Sequence, residues 1–105
     1  KLRLAARVNA ARRRQLERFE EHGITDVFCN ADITPSHIRT LCRVDEAGSR
    51  LLEMSFEKMG LSARGYDRIL RVARTIADLA GSELIGAPHI AEAIQLRSLD
   101  RKYWG

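Results

Sequence analysis

Apolar residues recur at three-and-four spacing along almost the whole chain, and glycines, prolines and N-capping side chains divide that pattern into helical stretches. The best-bounded stretch is Leu61 to Gly81, LSARGYDRILRVARTIADLAG. Ser62 is a good N-cap, Leu61 and Tyr66 occupy the two staple positions around it, and Gly81 stands where a C-capping glycine belongs. Between the caps, Tyr66, Ile69, Leu70, Ala73, Ile76, Ala77 and Ala80 make one helical stripe that is expected to face a core.

The remaining pattern arranges four more helices around this one. The first is expected from about Leu2 to His22, ending at Gly23, with Leu4, Val8, Ala11, Gln15 and Phe19 near one face, Ala5, Arg12 and Leu16 beside them, and its arginines mostly turned away. A linker from Ile24 to Ile33 follows; its segment Ile24 to Cys29 can be extended chain but is too short and isolated to make a sheet. Thr34 then caps a short helix with Pro35 at its first position and a staple between Ile33 and Ile38, ending near Cys42. Asp45 caps a third helix whose stripe is Leu51, Leu52, Phe56 and Met59, and Gly60 ends it. Leu61 comes immediately after, so a very tight turn joins the third and fourth helices. Ser82 to Ala87 reads as a loop. Pro88 starts the last helix, with Ile90, Ala91 and Ile94 inward, and the pattern fades after Arg97. The tail from Ser98 to Gly105, with Trp104 beside Arg101, Lys102 and Tyr103, either folds back or docks on a neighbour. The expected fold is all-α, a compact bundle of about five helices.

Length and charge bound what this bundle can be. At 105 residues it is expected to be one domain, 1–105, able to bury roughly two thirds of its unfolded surface without a disulfide or metal. The chain opens in mid-helix with no cap and no signal peptide, which suggests part of a longer protein, and no apolar run nears the length of a membrane span. Cys29 and Cys42 are read as reduced thiols of a cytoplasmic protein. The net charge of +4 is concentrated at the start: the first fourteen residues hold six cations and no anions, while the rest has twelve basic against fourteen acidic residues. A local basic surface is therefore a better argument for nucleic acid than the whole-chain charge.

Catalytic constellations are missing. There is no GxxxxGK[ST] loop, nucleophile elbow, HExxH motif or paired carboxylates with a partner base, so no catalytic residue is assigned. His37 and Cys42 are five apart and share no helix face, which argues against a metal site with Cys29, and His89 reads as an exposed first-turn residue. What remains is arginine. Arg64, Arg68 and Arg71 recur along one flank of the fourth helix, and Arg64 lies in its first turn, where a cation opposes the helix dipole at about 0.3 to 1 kcal/mol. Free backbone N–H groups beside an arginine suit an anion such as phosphate; the competing reading is a solvated arginine or one paired with Asp67 or a distant carboxylate. Likewise Arg3, Arg7, Arg13 and Arg14 on the first helix form either a solvated face or a surface for a nucleic-acid backbone or partner domain.

LSARGYDRILRVARTIADLAGSE, followed by HIAEAIQLRSLDRKYW, resembles the C-terminal domain of magnesium-chelatase-related AAA+ proteins of the ComM/YifB type. Val8, Ala11, Arg12, Gln15 and Arg18 stand at the spacing of that family's VxxARxxQxxR segment, so the resemblance covers nearly the whole chain. It implies a helical lid, with the ATPase core domain and its Walker elements upstream of Lys1, and ATP with Mg2+ as the cofactor of the full-length protein and none of this part alone. It also implies a sensor 2 arginine at Arg64, touching the terminal phosphate of ATP in its own or a neighbouring subunit, with Arg68 and Arg71 in support. The family more often has Ala where Gly65 stands, a difference expected to loosen the first turn by up to about 1 kcal/mol. Relatives form rings, expected to be hexamers here, and this branch resembles motors on branched or single-stranded DNA in uptake and recombination. Magnesium insertion into a porphyrin follows only from the family's name and ranks last.

Overall fold

A computed structural model of the protein describes residues 2–24, 30 and 33–104, with side chains over 4–24, 30 and 33–97. The chain forms five helices: α1 (Leu2–Glu21), α2 (Pro35–Leu41), α3 (Glu46–Met59), α4 (Ala63–Ala80) and α5 (Ala87–Trp104). The all-α bundle expected from the pattern is the fold found. α4 is its axis, packing on α1, α2 and α5, while α3 packs on α5.

Local chemistry accounts for most boundaries. Asp45 accepts the Gly48 N–H at 2.7 Å and Ser62 accepts the Gly65 N–H at 3.1 Å, each satisfying a donor that the first helical turn leaves free. Gly60 and Gly81 adopt left-handed φ of 59° and 75°, closing α3 and α4. Thr34 has the extended backbone of an N-cap, but its hydroxyl lies 3.0 Å from Ser36 Oγ and makes no cap bond; Pro35 alone marks the entry to α2. α5 begins differently. Gly86 has no side chain to cap with, and the Gly86 N–H instead donates to His89 Nδ1 at 2.8 Å, the return half of a capping box. His89 is thus half-buried and engaged rather than merely exposed. α5 also continues past Arg97 to Trp104, because nothing between Ser98 and Trp104 breaks a helix.

The core gathers Phe19, Ile33, Ile38, Leu52, Ile69, Leu70, Ala73, Ala77, Ile85 and Ile90. Ile85, fully buried, ties the two interhelical loops together: its N–H donates to Arg43 O at 2.8 Å and its carbonyl accepts the Asp45 N–H at 2.9 Å, the single β-bridge among the described residues. Stripes in four helices differ from their pattern; in α5, Ala91 is exposed and Ala93 is buried in its stead. Among the described residues of α1 the buried ones are Ala11, Gln15 and Phe19, whereas Leu4 is 63% and Val8 38% exposed, because α1 meets α4 at the C-terminal end of α4 and no described residue covers its first turns. In α4, Ala80 is exposed, and Phe56 of α3, 40% exposed, is held instead by an edge-to-face contact with Tyr66 at 5.7 Å. Cys42 is a buried free thiol; Cys29, the rest of the segment up to it from Thr25, and the side chains of Arg3 and the Trp104 tail lie outside the described residues.

Candidate functional site

The start of α4 is placed by three features in succession. Gly60 turns the chain, the side chain of Leu61 is buried in the core, and Ser62 caps the helix, so that Arg64 is the second helical residue and faces outward. Ser62 uses its hydroxyl on Gly65 N–H and its carbonyl on Tyr66 N–H, which leaves the N–H groups of Ala63 and Arg64 as the outward donors of the turn. The Arg64 side chain is exposed and has no hydrogen bond or ion pair among the described residues, with Asp67 included. Arg68 is exposed one turn on. Arg71 is half-buried and spends Nε on Ile33 O at 2.7 Å, holding the approach to α2 against α4. Of the three arginines on this flank, Arg64 is exposed in the first turn without a partner among the described residues, and Arg71 helps to hold the fold.

Gly65 has a packing role beyond the loosened turn expected from its type. It is buried, and a Cβ there would come within 3.2 Å of Nη1 of Arg97, so the missing side chain is where α5 brings its own arginine against α4.

The opposite end of α4 collects a second set of charges. Arg18 donates to both carboxylate oxygens of Asp78 at 2.6 and 3.2 Å, Arg74 lies 3.1 Å from Asp78 Oδ1, and the Asn30 amide donates to Asp78 Oδ2 at 2.9 Å. Arg74 also caps the turn beyond α4, donating to Ser82 O and Glu83 O at 2.8 Å each. Burial pulls the Arg74 guanidinium below its ordinary value and Asp78 pushes back, so the buried cation depends on its counter-charge; Nη1 and Nη2 are engaged, while Nε is buried without an acceptor. Arg14 donates to Asp78 O and Arg7 to Leu79 O, which places them at the negative end of the α4 dipole. The arginines of α1 therefore do not mostly turn away from the bundle. Arg13 does, and is exposed. A cleft of about 530 Å³ opens beside this cluster, lined by Arg14, Arg18, Arg43 and Arg74 together with Glu17, Glu21 and Glu83; its mixed charge selects no one ligand sign.

Arg74 and Asp78 were not among the candidates from sequence, although their i, i+4 spacing inside an apolar stripe is the available signal of a buried pair. The structure keeps the two arginine groups apart: Arg64 and the Arg7–Arg14 pair occupy opposite ends of an 18-residue helix, roughly 25 Å from each other. Among the described residues no three His, Cys, Asp or Glu converge as a metal site, and no helix is long and apolar enough to cross a membrane.

Comparison with known proteins places this arrangement. The family described as magnesium chelatase, subunit ChlI C-terminal, matches residues 2–97, a span holding both ends of α4 and Arg97. The chain is 43% identical over 72 residues to competence protein ComM of Haemophilus influenzae, covering 69% of this chain and 14% of that protein. It is 38% identical over 95 residues to YifB of Escherichia coli, covering 90% and 17%. The chain thus spans less than a fifth of the length of the curated relatives it matches. No solved structure matches it. With a family match over nearly all of its length and relatives aligned along most of it, this five-helix chain belongs to the magnesium chelatase ChlI C-terminal family, in the company of ComM- and YifB-type proteins.

Proposed function

We propose that the chain is the helical lid of a AAA+ ATPase whose core domain, upstream of Lys1, binds ATP and Mg2+, and that Arg64 contacts the terminal phosphate from the lid. The observation that carries this reading is an exposed arginine, without partner among the described residues, held at the second position of α4 by the Ser62 cap and the Gly60 turn. The donors fit a phosphate: a planar guanidinium and two outward backbone N–H groups at the positive end of a helix. Bound ATP supplies the phosphoryl group whose transfer to water releases the free energy for motion. On this chain, Arg64 would hold negative charge on that phosphate from the lid side, so the contact would depend on whether the phosphate is present. Arg68 stands one turn behind as a second cation, and Arg71 holds the chain that leads into α2 against α4.

The full-length protein on this reading is a cytoplasmic ring motor, a hexamer, acting on branched or single-stranded DNA; support for the DNA part comes from a relative named as a competence protein. Arg64→Ala in the full-length protein tests the assignment. ATP turnover of the assembled ring should fall at least about ten-fold, and wild-type turnover in an intact ring would remove Arg64 from the site.

A second reading, direct nucleic-acid binding by α1, is supported by the exposed Arg13 and the acid-free first fourteen residues. Arg3 belongs to this surface by sequence, while Arg7 and Arg14 also hold the end of α4 and can offer only part of their donors. Absence of salt-dependent DNA binding by the domain, even at low ionic strength, excludes it for the domain alone.

A further inference from the structure

α5 follows α4 through a short loop and packs along it, bringing Arg97 to the first turns of α4. The guanidinium of Arg97 lies over Gly65: a Cβ built there would stand 3.2 Å from Nη1 and 3.4 Å from Cζ and Nη2. Arg97 also shares a crevice of about 40 Å³ with Arg68, Ile69 and Val72. Its neighbours on α4, residues 65, 68, 69 and 72, fall within about a 100° arc, and Arg68 is at the edge of that arc nearest Arg64. Arg97 Nε is buried with no acceptor, and among the described residues no carboxylate pairs with its guanidinium. The α4 dipole opposes this placement of a cation. A multiply charged oxyanion bound between the two helices reverses that balance, because planar guanidinium groups from two directions can each take a different phosphate oxygen.

We propose that Arg97 is a second polyphosphate-contacting arginine, reaching from α5 to the same nucleotide as Arg64. This rests on the lid reading of Arg64 and deepens it: two helices hold the nucleotide, so its phosphates report to α5 as well as to α4. Gly65 is the residue that lets the second arginine in.

Binding of Mg2+ with a non-hydrolysable ATP analogue, and of ADP, to the full-length protein tests this, with thermal midpoints measured alongside for Arg64→Ala, Arg97→Ala, Arg97→Lys and Gly65→Ala. Arg97→Ala should weaken analogue binding about ten- to a hundred-fold and lower the ratio of analogue to ADP affinity; Arg97→Lys should recover part of both, and Gly65→Ala should act in the direction of Arg97→Ala. Wild-type analogue affinity in Arg97→Ala together with loss in Arg64→Ala overturns the role of Arg97 and leaves Arg64 in place. Wild-type affinity in both ends the lid assignment of Arg64 as well. An equal loss for analogue and ADP, with a lowered thermal midpoint and no recovery by Lys, makes Arg97 a packing residue and overturns the proposal.

Discussion

Arg18 of α1 grips Asp78 of α4 through both guanidinium nitrogens, at 2.6 and 3.2 Å, across sixty residues of chain. The Asp78 side chain is fully buried and Arg74 closes its other side. Removing the carboxylate leaves Arg74 buried beside a second cation with no counter-charge. Asp78→Ala is expected to cost about 3 to 5 kcal/mol, a large part of the 5 to 15 kcal/mol typical of a domain, and Arg18→Ala less, since Arg74 and Asn30 remain on Asp78. Urea unfolding of the two variants, with Arg50→Ala of the exposed Arg50–Glu46 pair as a control near zero, checks the order.

The start of α5 depends on an imidazole lone pair. Replacing His89 by Ala leaves Gly86 N–H without its acceptor and should cost about 1 kcal/mol. Gln at the same position can reach back in the capping-box manner. The thermal midpoint of His89→Gln should therefore lie above that of His89→Ala; the reverse order would show that the ring's packing matters more than its nitrogen.

Gly48 separates helix propensity from packing. Alanine is favoured over glycine inside a helix by about 1 kcal/mol, yet a Cβ at Gly48 would lie 2.7 Å from Val44 Cγ1 and 3.0 Å from the Ile85 carbonyl oxygen. That carbonyl is fixed by the Asp45 N–H, so it cannot easily give way. Gly48→Ala should destabilise by about 1 to 2 kcal/mol net of its propensity gain, measured by chemical denaturation.

Burial raises the Cys42 thiol from its ordinary 9.0 to about 11, with nearby Arg74, Arg18 and Arg71 pulling the other way. Above pH 9 the unfolded chain releases this proton while the folded chain keeps it, so the folded state binds more protons and stability falls as pH rises towards 11. The loss begins near pH 9 and approaches about 3 kcal/mol above pH 11. Comparing wild type with Cys42→Ala between pH 8 and 11 isolates it: the stability advantage of the wild type should shrink across this window and hold steady below it.

How much of this was readable in the chain depends on the range of the interaction involved. Ser62, Asp45, Gly60 and Gly81 act within their own turn, and their residue types sufficed to place both ends of α4 and the joint with α3. The family likeness also lies in contiguous segments, and Arg64 follows from it by position. The His89 cap is local too, but histidine is an unusual residue for that place, and so it read as a plain exposed side chain.

Residues answering to distant partners were not readable in this way. Leu4 and Val8 have the spacing of a buried stripe, but the crossing point of α1 on α4 leaves them uncovered. Arg74 and Asp78 are ordinary helix-surface residues by type, and the arrival of Arg18 and Asn30 from elsewhere completes the partners of the buried Asp78 carboxylate. Gly65 looks like a weak spot in a helix until Arg97 packs over it, close enough that a Cβ would make a tight contact. Periodicity and capping chemistry specify which residues are helical and roughly which face is apolar, because those interactions close within four residues. Which charged side chains are buried, and which arginines stand together at the start of α4, is decided by how the helices cross, since that brings together groups tens of residues apart whose compatibility no local spacing records.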